Sequence, residues 1–202
     1  DDLSGALAAY GCRLEVLSAP LKALGNRMGF LKHGRNNIGY VKDLGSYLQL
    51  VGLISEKPVH DEDFSPRVGE ALLDRCGECR ICTKACPTQA IDLQRVLIRA
   101  EKCYTLFSES MNPIPEGLWP PSPQCLIGCL RCQDVCPENK GLLRYAKTAV
   151  SFTALETESF LNLAPGSERG IDVAREKFRD LGLSADVLLY ARNLRHSEKL
   201  AV

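Results

Sequence analysis

A run of four cysteines closed by a proline, Cys76-Gly-Glu-Cys79-Arg-Ile-Cys82-Thr-Lys-Ala-Cys86-Pro87, constrains this chain more than any other feature. Two-residue gaps let successive thiolates turn inward onto the corners of one Fe₄S₄ cube. A fourth cysteine after a three-residue gap usually serves a second cube, and the proline turns the chain away. The cadence returns later as Cys129-Leu-Arg-Cys132-Gln-Asp-Val-Cys136-Pro137. Two half-motifs of this kind form a pseudo-twofold pair, as in two-cluster ferredoxins.

Nine of the ten cysteines lie between Cys76 and Cys136, with only Cys12 outside. The chain opens Asp1-Asp2 with no basic stretch and no initiator methionine, which reads as a processed chain or fragment without a visible signal peptide. A secreted disulfide scaffold is therefore not expected, and metal ligation is. The expected cofactors are two [4Fe-4S] clusters. Cluster A takes Cys76, Cys79, Cys82 and the returning Cys136. Cluster B takes Cys86, Cys129 and Cys132, and its last ligand is Cys103 or Cys125; spacing alone leaves that choice open. Two zinc sites would also use eight ligands, but zinc ribbons rarely place three cysteines at successive two-residue gaps before C-P. Cys12 reads as a small apolar residue beside a strand.

Composition narrows the function classes. At 202 residues, 45% are hydrophobic and 25% charged, and 25 basic side chains balance 25 acidic ones. Such a chain is an ordinary globular protein with no general attraction to polyanions. Its longest apolar runs, around Ala6–Tyr10 and Val51–Ile54, are too short to span a bilayer, so no membrane partner is expected and the protein reads as cytoplasmic.

The fold class expected is α+β: a two-[4Fe-4S] ferredoxin-like module flanked by a partial α/β region and a C-terminal helical region. Residues 1–70 form the α/β region, with a helix behind Pro20 carrying an apolar stripe of Leu21, Leu24 and Met28. A Gly/Asn loop, Gly34-Arg35-Asn36-Asn37, follows, then a strand-like run over 46–54. Residues 71–140 hold the cluster cysteines and seven of the eleven prolines. Residues 141–202 are expected to be helical, with Ser184 capping a helix whose Val187, Ala191 and Leu194 share one face.

Three segments resemble the epoxyqueuosine reductase family and its relatives with a double-cluster module: Cys76 through Ile91, Lys102-Cys103-Tyr104, and Gly128 through Asn139. Upstream, Gly34-Arg35-Asn36-Asn37 and Gly45-Ser46-Tyr47 are similar to segments beside that family's corrinoid pocket. The resemblance implies Cys103 as the last ligand of cluster B and Cys125 as an extra thiol. It implies contacts from Gly34, Arg35 and Asn36 to a bound cobalamin. It also implies a redox donor such as reduced ferredoxin or flavodoxin, an acceptor centre, and a modified tRNA as substrate. One position departs from the family pattern: its catalytic acid, three residues before a proline, corresponds to Leu17, so no catalytic residue is assigned. Most of the family's upstream corrinoid-binding half has no counterpart. The function expected is single-electron transfer to a corrinoid or other redox centre. Its alternatives are a complete cobalamin-dependent reductase acting on tRNA, and a structural protein stapled by clusters.

The remaining candidates read as scaffold. His33, His60 and His196 form no ligand pattern and are expected at the surface or hydrogen-bonded. Trp119 is expected to pack over a cluster loop. Arg192, Arg195 and Lys199 are expected to form a solvated helix face.

Overall fold

The computed structural model describes residue 5 and residues 13–56, 72–95, 97–110, 112–118, 125, 127–142, 151–162, 175–177 and 187–200. Cys12, His60, Trp119 and Ser184 lie outside these. Within them the protein is a mixture of short helices and two small sheets.

Strand β1 (Leu14–Val16) pairs antiparallel with β4 (Leu53–Ser55), Glu15 opposite Ile54. Only the end of the 46–54 run is therefore a strand. The residues before it form no strand, and Ser46 and Tyr47 contribute side chains to the cysteine module instead. Between them, helix α1 (Leu21–Arg27) begins directly after Pro20, whose fixed φ suits an N-terminus. Its apolar stripe does not face a core: Leu24 is 38% exposed and Met28 52%. The buried side of α1 is Gly25 and Asn26, where the chain folds back and the Asn26 amide donates to the Leu31 carbonyl at 3.2 Å.

Strands β2 (Lys32–His33) and β3 (Gly39–Tyr40) form a hairpin. Its turn closes through Gly34 N–H to the Ile38 carbonyl at 2.8 Å and Asn37 N–H to the Gly34 carbonyl at 2.9 Å. Asn37 sits at φ +60°, a left-handed conformation that asparagine tolerates better than most residues.

Two short helices form the frame of the cysteine module. Helix α2 (Ile81–Ala85) and helix α4 (Arg131–Asp134) belong to the two half-motifs and pack against each other. Each is followed by a Cys-Pro step whose cysteine is extended, Cys86 at φ −68°, ψ 114° and Cys136 at φ −72°, ψ 125°. The proline ring disfavours helix in the residue before it, so the Cys-Pro step itself ends each helix. Helix α3 (Tyr104–Ser108) starts right after Cys103.

Helix α5 (Ala154–Leu161) packs against the C-terminal helix α6 (Val187–Leu200). Leu189, Tyr190, Ala191 and Asn193 are buried on α6. Arg192 and Arg195 do not form a solvated face, and the side chain of Lys199 lies outside the described residues. Arg192 donates to the carbonyls of Phe107 at 2.7 Å and Asn112 at 2.9 Å, Asn193 donates to the Ser108 carbonyl at 2.9 Å, and Arg195 reaches the Leu161 carbonyl at 2.7 Å. The last carbonyls of a helix have no partner within it, and here α6 supplies donors, one of them cationic, for α3.

Candidate metal centres

Each half-motif directs its thiols to both sides of the α2–α4 pair. One cavity is lined by Cys76, Cys79, Cys82 and Cys136. The other is lined by Cys86, Cys103, Cys129 and Cys132. Cys125 lines neither, although it is close enough to raise the pKa of Cys129. None of the nine cysteines forms a disulfide. Among the described residues, no three Cys, His, Asp or Glu side chains converge tightly enough to hold one metal ion. A cubane makes no such demand, since its four thiolates bind four different irons.

Burial pushes the thiols of Cys76, Cys82 and Cys129 above their ordinary value and Cys132 up to about 12. Unloaded, these groups are neutral thiols crowded together. A polycationic cluster held by these thiols would take the place of those protons and offset the mutual repulsion of the thiolates, so loading would release protons. Eight thiols in two sets of four, with buried thiols that need a cation to ionise, fit two iron–sulfur cubanes.

The walls of the first cavity come from the β2–β3 hairpin. Arg35 donates to the Cys76 carbonyl at 2.7 Å and 3.3 Å, placing a guanidinium against the first thiol. The Asn36 amide donates to the Tyr40 hydroxyl at 2.9 Å and the Cys132 carbonyl at 3.4 Å. Gly34 permits this: a Cβ there would lie 2.5 Å from both the Asn36 oxygen and the Tyr40 ring. Tyr40 is buried, and burial together with its bond to Cys136 pushes the phenol far above its ordinary value, so it stays a protonated donor.

A clasp holds the second half-motif. Asn139 accepts from the Ser46 N–H at 2.9 Å and donates to the Ser46 hydroxyl at 2.8 Å and the Gln133 carbonyl at 2.9 Å. Ser46 donates to Gln133 at 2.8 Å, and Tyr47 donates to Asp134 at 2.7 Å. Gly45 makes the approach possible at φ +69°, where a Cβ would lie 2.5 Å from the Asn139 oxygen. Arg75 and Glu138, 3.1 Å apart, tie the two half-motifs at the rim.

The second cavity is walled by Ala90, Ile91, Ile98 and Tyr104 together with Lys22 and Asn36. Cys86 accepts the Ala90 N–H at 3.2 Å, and Arg99 donates both to the Ala90 carbonyl and to Asp92.

Gly34, Arg35 and Asn36 thus line the first cysteine cavity, with Asn36 also on the second. Gly34 and Arg35 also border an open cleft with His33, Asn37, Leu72 and Leu97, whereas the cleft formed by Pro20, His33, Asn37, Ser46, Gln49 and neighbours has none of the three in its wall. His33 differs from the sequence expectation. It is 9% exposed and, among the described residues, neither ring nitrogen has a hydrogen-bond partner. Leu17 donates its N–H to the Gly52 carbonyl at 2.8 Å and packs on that glycine. Glu15 is exposed and pairs with Arg13 at 3.4 Å. Sequence reasoning missed Tyr40 and the capping by Arg192 and Asn193; no local pattern marks them.

Comparison with known proteins agrees with this geometry. Residues 75–139 match the 4Fe-4S double cluster binding domain. An epoxyqueuosine reductase of Staphylococcus aureus is 30% identical over 121 residues, 60% of this chain and 30% of that protein. One from Cellulophaga algicola is 32% identical over 141 residues, 68% of this chain and 44% of that protein. The chain therefore spans less than half the length of these curated relatives. The solved epoxyqueuosine reductase of Streptococcus thermophilus shares the fold with a TM-score of 0.65 at 19% identity, over 99% of this chain and 51% of that one. An epoxyqueuosine reductase solved with an epoxyqueuosine-modified tRNA stem loop gives 0.64 at 20%, over 99% and 52%.

Proposed function

The chain belongs, over part of its length, to the epoxyqueuosine reductase-like family, and on that premise we propose that it is an iron–sulfur electron-transfer module. Its ligands are Cys76, Cys79, Cys82 and Cys136 at one centre and Cys86, Cys103, Cys129 and Cys132 at the other. The observation that carries this reading is the pair of adjacent four-cysteine cavities. Two [4Fe-4S] clusters would supply low-potential one-electron chemistry there. The chain's own part is to hold eight thiolates apart from water, neutralise part of their charge through Arg35, and keep the centres close through Asn36. The electron donor is of the reduced ferredoxin or flavodoxin kind, and the acceptor is a corrinoid or another redox centre.

Anaerobic purification with iron, sulfide and cobalt analysis, followed by EPR of the reduced protein, tests this. About eight iron and eight sulfide per chain are expected, with cubane signals on reduction. Iron below about two per chain after reconstitution would sink it.

The fold likeness to a tRNA-bound reductase supports a second reading, a complete cobalamin-dependent epoxyqueuosine reductase. At the position of that family's general acid stands Leu17, which has no ionisable proton, and Glu15 lies about 6–7 Å along the strand. The chain, given cobalamin and reductant, is expected not to turn over epoxyqueuosine in tRNA. Turnover abolished by Glu15→Gln would establish the second reading.

A further inference from the structure

Asn36 lines both cysteine cavities. Its amide nitrogen donates to the Tyr40 hydroxyl at 2.9 Å and to the Cys132 carbonyl at 3.4 Å. Tyr40 lines the first cavity together with Cys136, near enough to act on that thiol. Two side chains therefore link the Cys132 backbone at the second cavity to the cavity that Cys136 closes. Asn36 and Tyr40 are each 3% exposed, so water does not compete for these bonds, and low polarity strengthens them. The tight turn and Gly34 fix both side chains, so the arrangement is built into the hairpin.

Hydrogen bonds to cluster sulfurs are among the levers that set reduction potential. A donor favours the reduced cluster, whose sulfurs carry more negative charge. We propose that Asn36 and Tyr40 form a tuning bridge that sets the potentials of the two centres relative to each other, Tyr40 acting on the Cys136 centre and Asn36 on both. They are positioning residues: they act through Cys132 and Cys136. This rests on the two-cluster reading above.

The test is potentiometry with EPR on the full chain and its Tyr40→Phe and Asn36→Leu variants. Tyr40→Phe retains both cubane signals and wild-type iron. At the wild-type midpoint, its Cys136 centre shows a reduced-to-oxidised ratio lowered roughly tenfold, equivalent to about 59 mV for one electron. The second centre stays unmoved. Asn36→Leu lowers both potentials. Two cubanes with unmoved potentials in Tyr40→Phe overturn the bridge alone. Equal shifts of both centres in Tyr40→Phe also overturn it, since they mean general loosening. Wild-type chain without two cubane signals fails the proposed function and the bridge together, which iron analysis reveals before any variant is made. Should Asn36→Leu fail to fold, Tyr40→Phe decides.

Discussion

The two cysteine cavities share a cadence and differ in their surroundings. Around Cys76, Cys79, Cys82 and Cys136 one hairpin supplies a guanidinium, an amide and a phenol, and Arg75 and Glu138 add an ion pair. Around Cys86, Cys103, Cys129 and Cys132 the wall is built from the segment that follows the first half-motif, with Ala90 1%, Ile91 5% and Tyr104 2% exposed, together with Lys22, Asn36 and Asn37. Similar sequence spacing thus delivers similar donor sets into differently built walls. The difference teaches that the wall comes from segments distant from the cysteines, which the cysteine spacing does not encode.

The sharpest way to break this comparison is at the isolated cysteine. Cys103→Ser is expected to remove one whole cluster, about four of eight iron, whereas Cys125→Ser leaves iron content unchanged. Iron analysis with EPR checks both, and the opposite pattern would reassign the second cavity. The next effect concerns the clasp beside Cys136. Asn139→Ala leaves the Ser46 N–H buried without its acceptor, and a loss of about 1–3 kcal/mol is expected in denaturation of the loaded protein. The centre closed by Cys136 should lose its signal first. A smaller effect is expected beside Cys103 from Asn193→Ala, which uncaps the Ser108 carbonyl at the end of α3: about 1 kcal/mol. There the Cys103 centre should be the first to go. If both variants release the same cluster first, the two walls do not act independently.

The smallest effect is a control distant from the cysteines. Lys177, 2.6 Å away, holds the Glu156 carboxyl down to about 2, and the Thr153 N–H assists. A lowered carboxyl stabilises the fold above its unfolded value, here 4.5, and that contribution disappears as pH falls toward about 2. In the wild type, helix signal from α5 should decline across that window. In Glu156→Gln the decline should be absent there. An identical acid transition in both would show that the pair contributes nothing.

The parts of the fold legible in the sequence are those written locally. Cys-Pro ends a short helix because the ring constrains the residue before it, and Pro20 fixes the start of α1. The surroundings of the cysteines are another matter. Ser46 and Asn139 are 93 positions apart, and Arg35 and Cys76 are 41 apart. No periodicity connects such pairs, and an asparagine in a loop looks alike whether it clasps a distant backbone or faces water. The leucine stripe of α1 shows the converse: helical spacing was present, yet the close approach of the chain at Gly25 and Asn26 took the buried side. Arg192 and Arg195 likewise read as solvated charges because a helix end awaiting a cation leaves no trace in the sequence around them.

Neither half-motif encloses a cavity with its own thiols. The first lends Cys86 across the α2–α4 contact, and the second lends Cys136 back. Topologically this is an isologous pair, with one surface exchanging the same element with its likeness, carried on a single chain. A two-fold dimer of one repeat would present the same exchange; this chain adds what symmetry does not, Cys103 from the connecting segment and the hairpin that walls one cavity. Severing the chain between the repeats would therefore divide both cavities at once, and neither piece would retain a whole one.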